Sequence, residues 1–205
     1  MRVAKNRERI LETSILLFNE MGVVAITTNH IADNLKISPG NLYFHFRNKE
    51  EIVRELFDRM CEATYNLWKD ESNSTFTPLQ LLQRSFELFW EYRFFHREMY
   101  HLRRKDPLLA RRWRKHMLKT VRLLQARYLA WVKAGVMKKL TDPDEMQMIA
   151  DVVLITSSSF LQFYESRERP ASNKAIKTGV RHIARLLLPY HSESSQKEIT
   201  EFLKA

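Results

Sequence analysis

The chain has 205 residues, 44% of them hydrophobic and 11% aromatic, with only four Gly and six Pro, which excludes a disordered or collagen-like chain and suits a helical protein with a sizeable core. A formal net charge of +10 favours anionic partners: nucleic acid, anionic lipid or acidic ligands. The lone Cys61 excludes an internal disulfide or a multi-cysteine metal site, and the longest uncharged run, Val152 to Tyr164, is shorter than the ~18 residues a membrane span needs.

Helices are expected over 6–21, 28–35, 39–46, 49–69, 78–103, 107–134, 143–166 and 173–188, with a polar tail that has room for one more turn. Ile10, Leu17, Phe18 and Met21 form one apolar stripe, closed by Gly22, and Ile31, Ala32 and Leu35 form the next. Four prolines follow capping residues, at Ser38-Pro39, Thr77-Pro78, Asp106-Pro107 and Asp142-Pro143, and so mark helix starts. Asn48 with Glu51, and Asp142 with Glu145, have capping-box spacing. Asp70–Thr77 and Arg167–Asn173 read as loops, Gly135 and Pro189 as helix ends. No strand-like alternation is present, so the fold class is all-α. Cys61 is expected to be buried, and the chain to be soluble and cytoplasmic.

The third helix is short and crowded with rings. At about 100° per residue, Leu42 and Phe46 share the inward side, Phe44 points away, Tyr43 and His45 flank it, and Gly40 and Asn41 join the outer half. A second buried face here would need a further layer of protein. A helix lying in the major groove, by contrast, needs hydroxyl and imidazole donors for phosphates, a ring for thymine methyls and a small residue for close approach.

Residues 7–52, through ERILETSILLFNEMG, TTNHIADNLKISPGNLYFHFRNKEEI and the long helix that follows, resemble the DNA-binding domain of the TetR family of bacterial transcriptional regulators. The resemblance implies a helix-turn-helix domain at 1–48 and a helical ligand-binding and dimerisation domain at 49–205. It implies that Thr27 and Thr28 hold phosphates, that Ser38, Gly40, Asn41 and Phe44 face base edges or nearby backbone, and that Tyr43, His45 and Lys49 hold phosphates. Neither Gly40 nor Asn41 is a bidentate arginine on guanine, so readout would lean on DNA shape.

The same resemblance implies two copies paired through the last two long helices and a small-molecule cavity among the middle ones. Ile149, Val152, Val153, Thr156, Ser159, Phe160 and Phe163, with Ile176, Gly179, Val180, Ile183 and Leu187, recur at helical spacing and are the interface candidates. Gly179 inside a helix suggests a close crossing. Cavity candidates are Phe57, Tyr65, Trp68, Phe86, Phe89, Trp90, Arg93, Phe94, Trp113, Trp131 and Gln162, with Tyr92, Gln125 and Tyr128 as further polar groups. Residues 93–139 hold 15 Lys and Arg against two acidic residues; solvated faces, attraction to DNA and an anionic-ligand site all fit that excess. No catalytic constellation, metal set or cofactor motif is found. The expected function is a ligand-responsive homodimeric repressor of a palindromic operator, with a hydrophobic or anionic effector, no cofactor and no membrane partner. A nonspecific nucleic-acid or anionic-surface binding protein is the alternative.

Overall fold

A computed structural model describes residues 2–69, 76–142, 144–166 and 172–204. The Pro143 helix start and most of the two expected loops lie outside the described residues. Among the described residues the elements are α1 (Arg2–Met21), α2 (Thr28–Leu35), α3 (Pro39–His45), α4 (Lys49–Lys69), α5 (Pro78–Glu91), α6 (Arg93–Lys105), α7 (Pro107–Lys133), α8 (Glu145–Glu165), α9 (Ser172–Leu187), a 3-10 turn (Leu188–Tyr190) and α10 (Glu193–Lys204).

Most starts follow the expected caps. Ser38 Oγ accepts the Asn41 N–H at 3.2 Å, and Asp106 Oδ1 accepts those of Leu108 and Leu109 at 2.9 and 3.2 Å. Asn48 accepts from Glu51 at 2.9 Å, but Glu51 reaches past it to the Arg47 N–H at 2.8 Å. At α8 the cap differs too: Asp142 Oδ1 accepts from Asp144 at 2.9 Å. Gly22 and Gly135 take positive φ, 84° and 72°, where glycine carries no Cβ penalty.

Two expectations are corrected. The stretch 78–103 is two helices, broken at Tyr92 (φ −105°, ψ 33°), and the polar tail is a 12-residue helix instead of a turn. The segment from 107 is one helix, as expected.

The chain groups into two compact units, Met1–Glu62 with Glu91–Trp113, and Ala63–Trp90 with Arg114–Ala205. In the first, Ile10, Phe18, Ile31, Leu42, Ile52 and Phe94 are fully buried, each worth about 1.5–3 kcal/mol of transfer free energy. Phe18 meets Phe94 at 5.4 Å between ring centroids, and Phe57 meets Phe95 at 5.6 Å. Asn19 of α1 explains the break at Tyr92. Its side chain accepts the Phe94 N–H at 3.1 Å and donates to the Glu91 carbonyl at 2.7 Å, satisfying two backbone groups that the interruption exposes. Nearby, Glu98 Oε1 accepts the Val23 N–H at 2.9 Å and Arg97 donates to the Asn19 carbonyl at 2.7 Å.

In the second unit, Leu82, Phe86, Ile149, Val153, Phe160, Val180 and Ile183 form one cluster. Phe86 sits edge-on to Phe160 at 5.5 Å, and a Cβ on Gly179 would run into the Phe86 ring. The close crossing at Gly179 is therefore between α5 and α9 of one chain. Ala184, Ile199 and Leu203 pack α10 on α9. By length and composition α8 is apolar enough to cross a membrane, contrary to the expectation from uncharged runs alone; Ile149, Val153, Phe160 and Leu161 bury one of its faces in the cluster.

Candidate nucleic-acid interface

α2 opens on Thr27, whose hydroxyl accepts the His30 N–H at 3.2 Å while His30 Nδ1 accepts the Thr27 N–H at 3.3 Å. This reciprocal cap satisfies two backbone donors at the helix start. α2 ends on Lys36 in the left-handed region (φ 55°), with the Ile37 N–H returning to the Ala32 carbonyl at 3.0 Å. The tight turn leads directly into Ser38 and α3.

On α3 the side chains divide sharply. Leu42 is 0% and Phe46 2% exposed, whereas Phe44 is 73% and Tyr43 49% exposed. α3 stops at His45, and Phe46 reaches the core from extended backbone (φ −142°, ψ 121°). The Tyr43 hydroxyl meets that of Thr28 at 3.1 Å, joining the outer faces of the two helices, and the His45 ring stands edge-on to Phe44 at 5.1 Å. Thr27, Ser38, Gly40 and Asn41 are exposed and His45 is half-buried. A Cβ on Gly40 would meet only Ser38 Oγ, at 4.0 Å, so nothing within the chain requires glycine there. The arrangement brings a free ring, hydroxyls, an imidazole and an unobstructed backbone onto one outer surface.

Lys49 is placed otherwise than expected. Its ammonium donates to the Val23 carbonyl and, at 2.6 Å, to that of Ile26; desolvation by burial holds its pKa below the usual lysine range. It ties the α1–α2 connection to the start of α4 instead of reaching for phosphate. His30 is the residue that sequence reasoning missed. A Thr followed three residues later by a hydrogen-bonding side chain was the available signal, but a box is sought with Glu or Gln at that place.

The second unit holds a cavity of about 40 Å³ walled by Trp68, Leu82, Gln125, Tyr128, Trp131 and Ile149, among others. Trp68 and Trp131, with the polar groups Gln125 and Tyr128, were expected there; the remaining candidates lie elsewhere. Phe57 and Trp113 pack together in the first unit, Phe94 lies on Phe18, and Arg93 opens α6. Phe86, Phe89 and Trp90 belong to the hydrophobic cluster, Tyr65 bonds His116 Nδ1 at 3.0 Å, and Gln162 is exposed. The Tyr128 hydroxyl donates to the Lys138 carbonyl at 2.9 Å, and burial pushes this phenol up to about 12. Gln125 donates to Gln147 at 2.8 Å. Among the described residues the wall carries no charged side chain.

The pairing candidates separate by face. Ile149, Val153, Phe160, Gly179, Val180, Ile183 and Leu187 are buried in their own chain, and Thr156 and Ile176 are half-buried. Val152, Ser159 and Phe163 are outside, aligned with Met148 and Ile155, and Leu186 of α9 is exposed too. Part of the basic excess is absorbed internally: the Arg103 guanidinium lies 5.3 Å from the Trp113 ring centroid, the Lys119 ammonium lies 3.4 Å from that of Tyr65, Arg112 pairs with Asp58, and Arg127 donates to the Trp68 carbonyl at 2.5 Å.

Comparison with known proteins matches residues 10–56 to the family model described as bacterial regulatory proteins, tetR family, and residues 56–199 to that described as bacterial transcriptional repressor, TetR. The HTH-type transcriptional repressor KstR2 of Mycobacterium tuberculosis is 37% identical over 90 residues, 44% of this chain and 45% of that protein, so the match spans less than half of that curated relative. A TetR-family transcriptional regulator from Marinobacter aquaeolei VT8 superposes with a TM-score of 0.86 at 27% identity, covering 97% of each chain. The structure of the ketosteroid transcriptional regulator KstR2 of Mycobacterium tuberculosis shares the fold, with a TM-score of 0.60 at 23% identity over 92% of this chain and 96% of that one.

Proposed function

We propose, from the premise that this chain belongs to the TetR family of bacterial transcriptional regulators, that it is a homodimeric, ligand-responsive repressor of a palindromic operator, acting in the cytoplasm. The observation that carries the reading is the division of α3: Leu42 and Phe46 fix the helix to the core while Phe44, 73% exposed, and Tyr43 stand in solvent beside Thr28. Folding does not need these rings outside, but a major groove can use them. Thr27, Thr28, Tyr43 and His45 supply phosphate donors; Ser38, Gly40, Asn41 and Phe44 face base edges or the nearby backbone.

The exposed row Met148, Val152, Ile155 and Phe163, interrupted by the small Ser159, supports pairing through α8, since a mostly apolar stripe on a helix is stabilised by cover. Two α3 helices would then enter major grooves about 34–36 Å apart. The uncharged wall around Trp68 and Trp131 favours a hydrophobic effector over an anionic one. Such an effector changes DNA affinity only through unequal affinity for two conformers.

Selecting bound duplexes from a random pool tests the whole reading. A symmetric site footprinted by a dimer, and lost on Tyr43→Ala or His45→Ala, is the expected result. Equal affinity for unselected DNA would instead support the second reading, a nonspecific polyanion binder, which the net charge of +10 motivates.

A further inference from the structure

Resting on the reading of the Trp68 and Trp131 wall as an effector site, we infer that the effector is an amphiphile, with an apolar body inside that wall and one hydrogen-bond acceptor at its end, met by Gln125 and Arg122 in the groove between α7 and α8. Two spaces share one side chain. Gln125 borders the void of about 40 Å³ and also an open groove of about 530 Å³ along α7 and α8, where Leu118, Arg122, Gln147, Asp151 and Leu154 join it. The groove has the size of a small-molecule site and the void alone does not. A ligand seated across both must part Gln125 from Gln147.

The hydrogen bonds there have a fixed sense. Gln125 Nε2 donates to Gln147 Oε1 at 2.8 Å, and Gln147 Nε2 donates to Asp151 Oδ1 at 2.9 Å. A carboxylate only accepts, so Asp151 takes the amide nitrogen of Gln147, which leaves the Gln147 oxygen for Gln125 and commits Gln125 as donor. Parting the two glutamines therefore orphans a donor on Gln125 and an acceptor on Gln147. Gln147 is exposed and water repairs its loss, whereas Gln125 is half-buried and its N–H depends on what enters. Arg122, exposed on the same groove, is engaged by no ion pair or hydrogen bond among the described residues, while the acid of the groove, Asp151, already holds Gln147. The groups left to a ligand are thus donors, which suit an acceptor head and not a cationic one. The uncharged wall in turn disfavours a second polar end.

The test displaces Nile red, an uncharged apolar dye, from the full-length chain with octanoate, methyl octanoate and octylammonium, which share a chain length and differ in the head. Octanoate and methyl octanoate are expected to compete at least about tenfold more tightly than octylammonium, the size of one hydrogen bond to a charged or half-buried donor. Gln125→Glu replaces the donor by a carboxylate of the same shape and is expected to reverse the order of octanoate and octylammonium. Arg122→Gln, at an exposed position, is expected to weaken octanoate by about tenfold and methyl octanoate by less. Melting temperatures of both variants check that the fold is kept. Equal competition by the three heads, tighter binding of octylammonium to the parent chain, or an order unmoved by both substitutions would overturn the inference. If neither Nile red nor any of the three binds the parent chain, the hydrophobic-effector reading itself falls, and this head assignment with it.

Discussion

Phe44 has no partner in its own core, and an exposed ring of that kind can be cut away without a cavity term. Phe44→Ala is therefore expected to leave thermal stability within about 0.5 kcal/mol, the usual range of surface changes, and to weaken the selected duplex about tenfold or more, measured by melting and by fluorescence anisotropy. Gly40→Ala should separate stability from binding in the same way. A Cβ there has room, so the variant is expected to gain up to about 1 kcal/mol of stability, while losing affinity if DNA backbone must come close; urea midpoints and anisotropy read the two effects. The inward pair Leu42 and Phe46 was legible in the sequence because angular spacing alone sorts a helix this short. Lys49 was not, because its partners are the carbonyls of Val23 and Ile26, and main-chain oxygens leave no trace in a side-chain pattern. His30 was hidden for a similar reason: its ring accepts the Thr27 backbone N–H, and a main-chain partner leaves no trace in hydropathy.

Among elements, the break between α5 and α6 shows most clearly where pattern reading stops. Residues 78–103 contain no glycine and no proline after Pro78, so local propensity runs straight through Tyr92. The interruption is held by Asn19, about seventy residues upstream, which meets both exposed backbone groups. Asn19→Ala would leave a buried N–H and a carbonyl without that partner and is expected to cost about 2–4 kcal/mol, checked by urea denaturation. α8 illustrates a second difficulty. Apolar residues surround much of it, so the sequence names the helix as a contact element without saying which side belongs to the chain itself. Ile149, Val153 and Phe160 turned inward; Met148 and Ile155, not anticipated, turned out. The tail was underestimated because its apolar residues are sparse, and only Ile199, Phe202 and Leu203 reveal the face that meets α9.

At the scale of the molecule, assembly and acid stability can both be predicted. If the chain pairs through α8 as proposed, Ile155→Lys, which places a charge on the exposed α8 stripe, is expected to shift it from dimer to monomer in sedimentation velocity, with the helical circular dichroism unchanged. Acid stability turns on His191, buried where the 3-10 turn meets α10. Its Nδ1 donates to the Leu187 carbonyl at 2.9 Å, and among the described residues its Nε2 has no hydrogen-bond partner. Burial holds its pKa below the usual imidazole value. The unfolded chain then binds more protons between the folded value and the unfolded one near 6.5, so stability declines as pH falls through that interval. Melting temperatures at pH 7.5 and 5.5 should show the decline, and His191→Gln should reduce it. Finally, the indoles of Trp68 and Trp131 stand 6.3 Å apart, nearly edge to face, on the wall of a void that holds little more than a solvent molecule or two. A guest larger than that must displace part of the wall these indoles form, so the near-ultraviolet dichroism of this natural chromophore pair is expected to serve as a label-free gauge of occupancy.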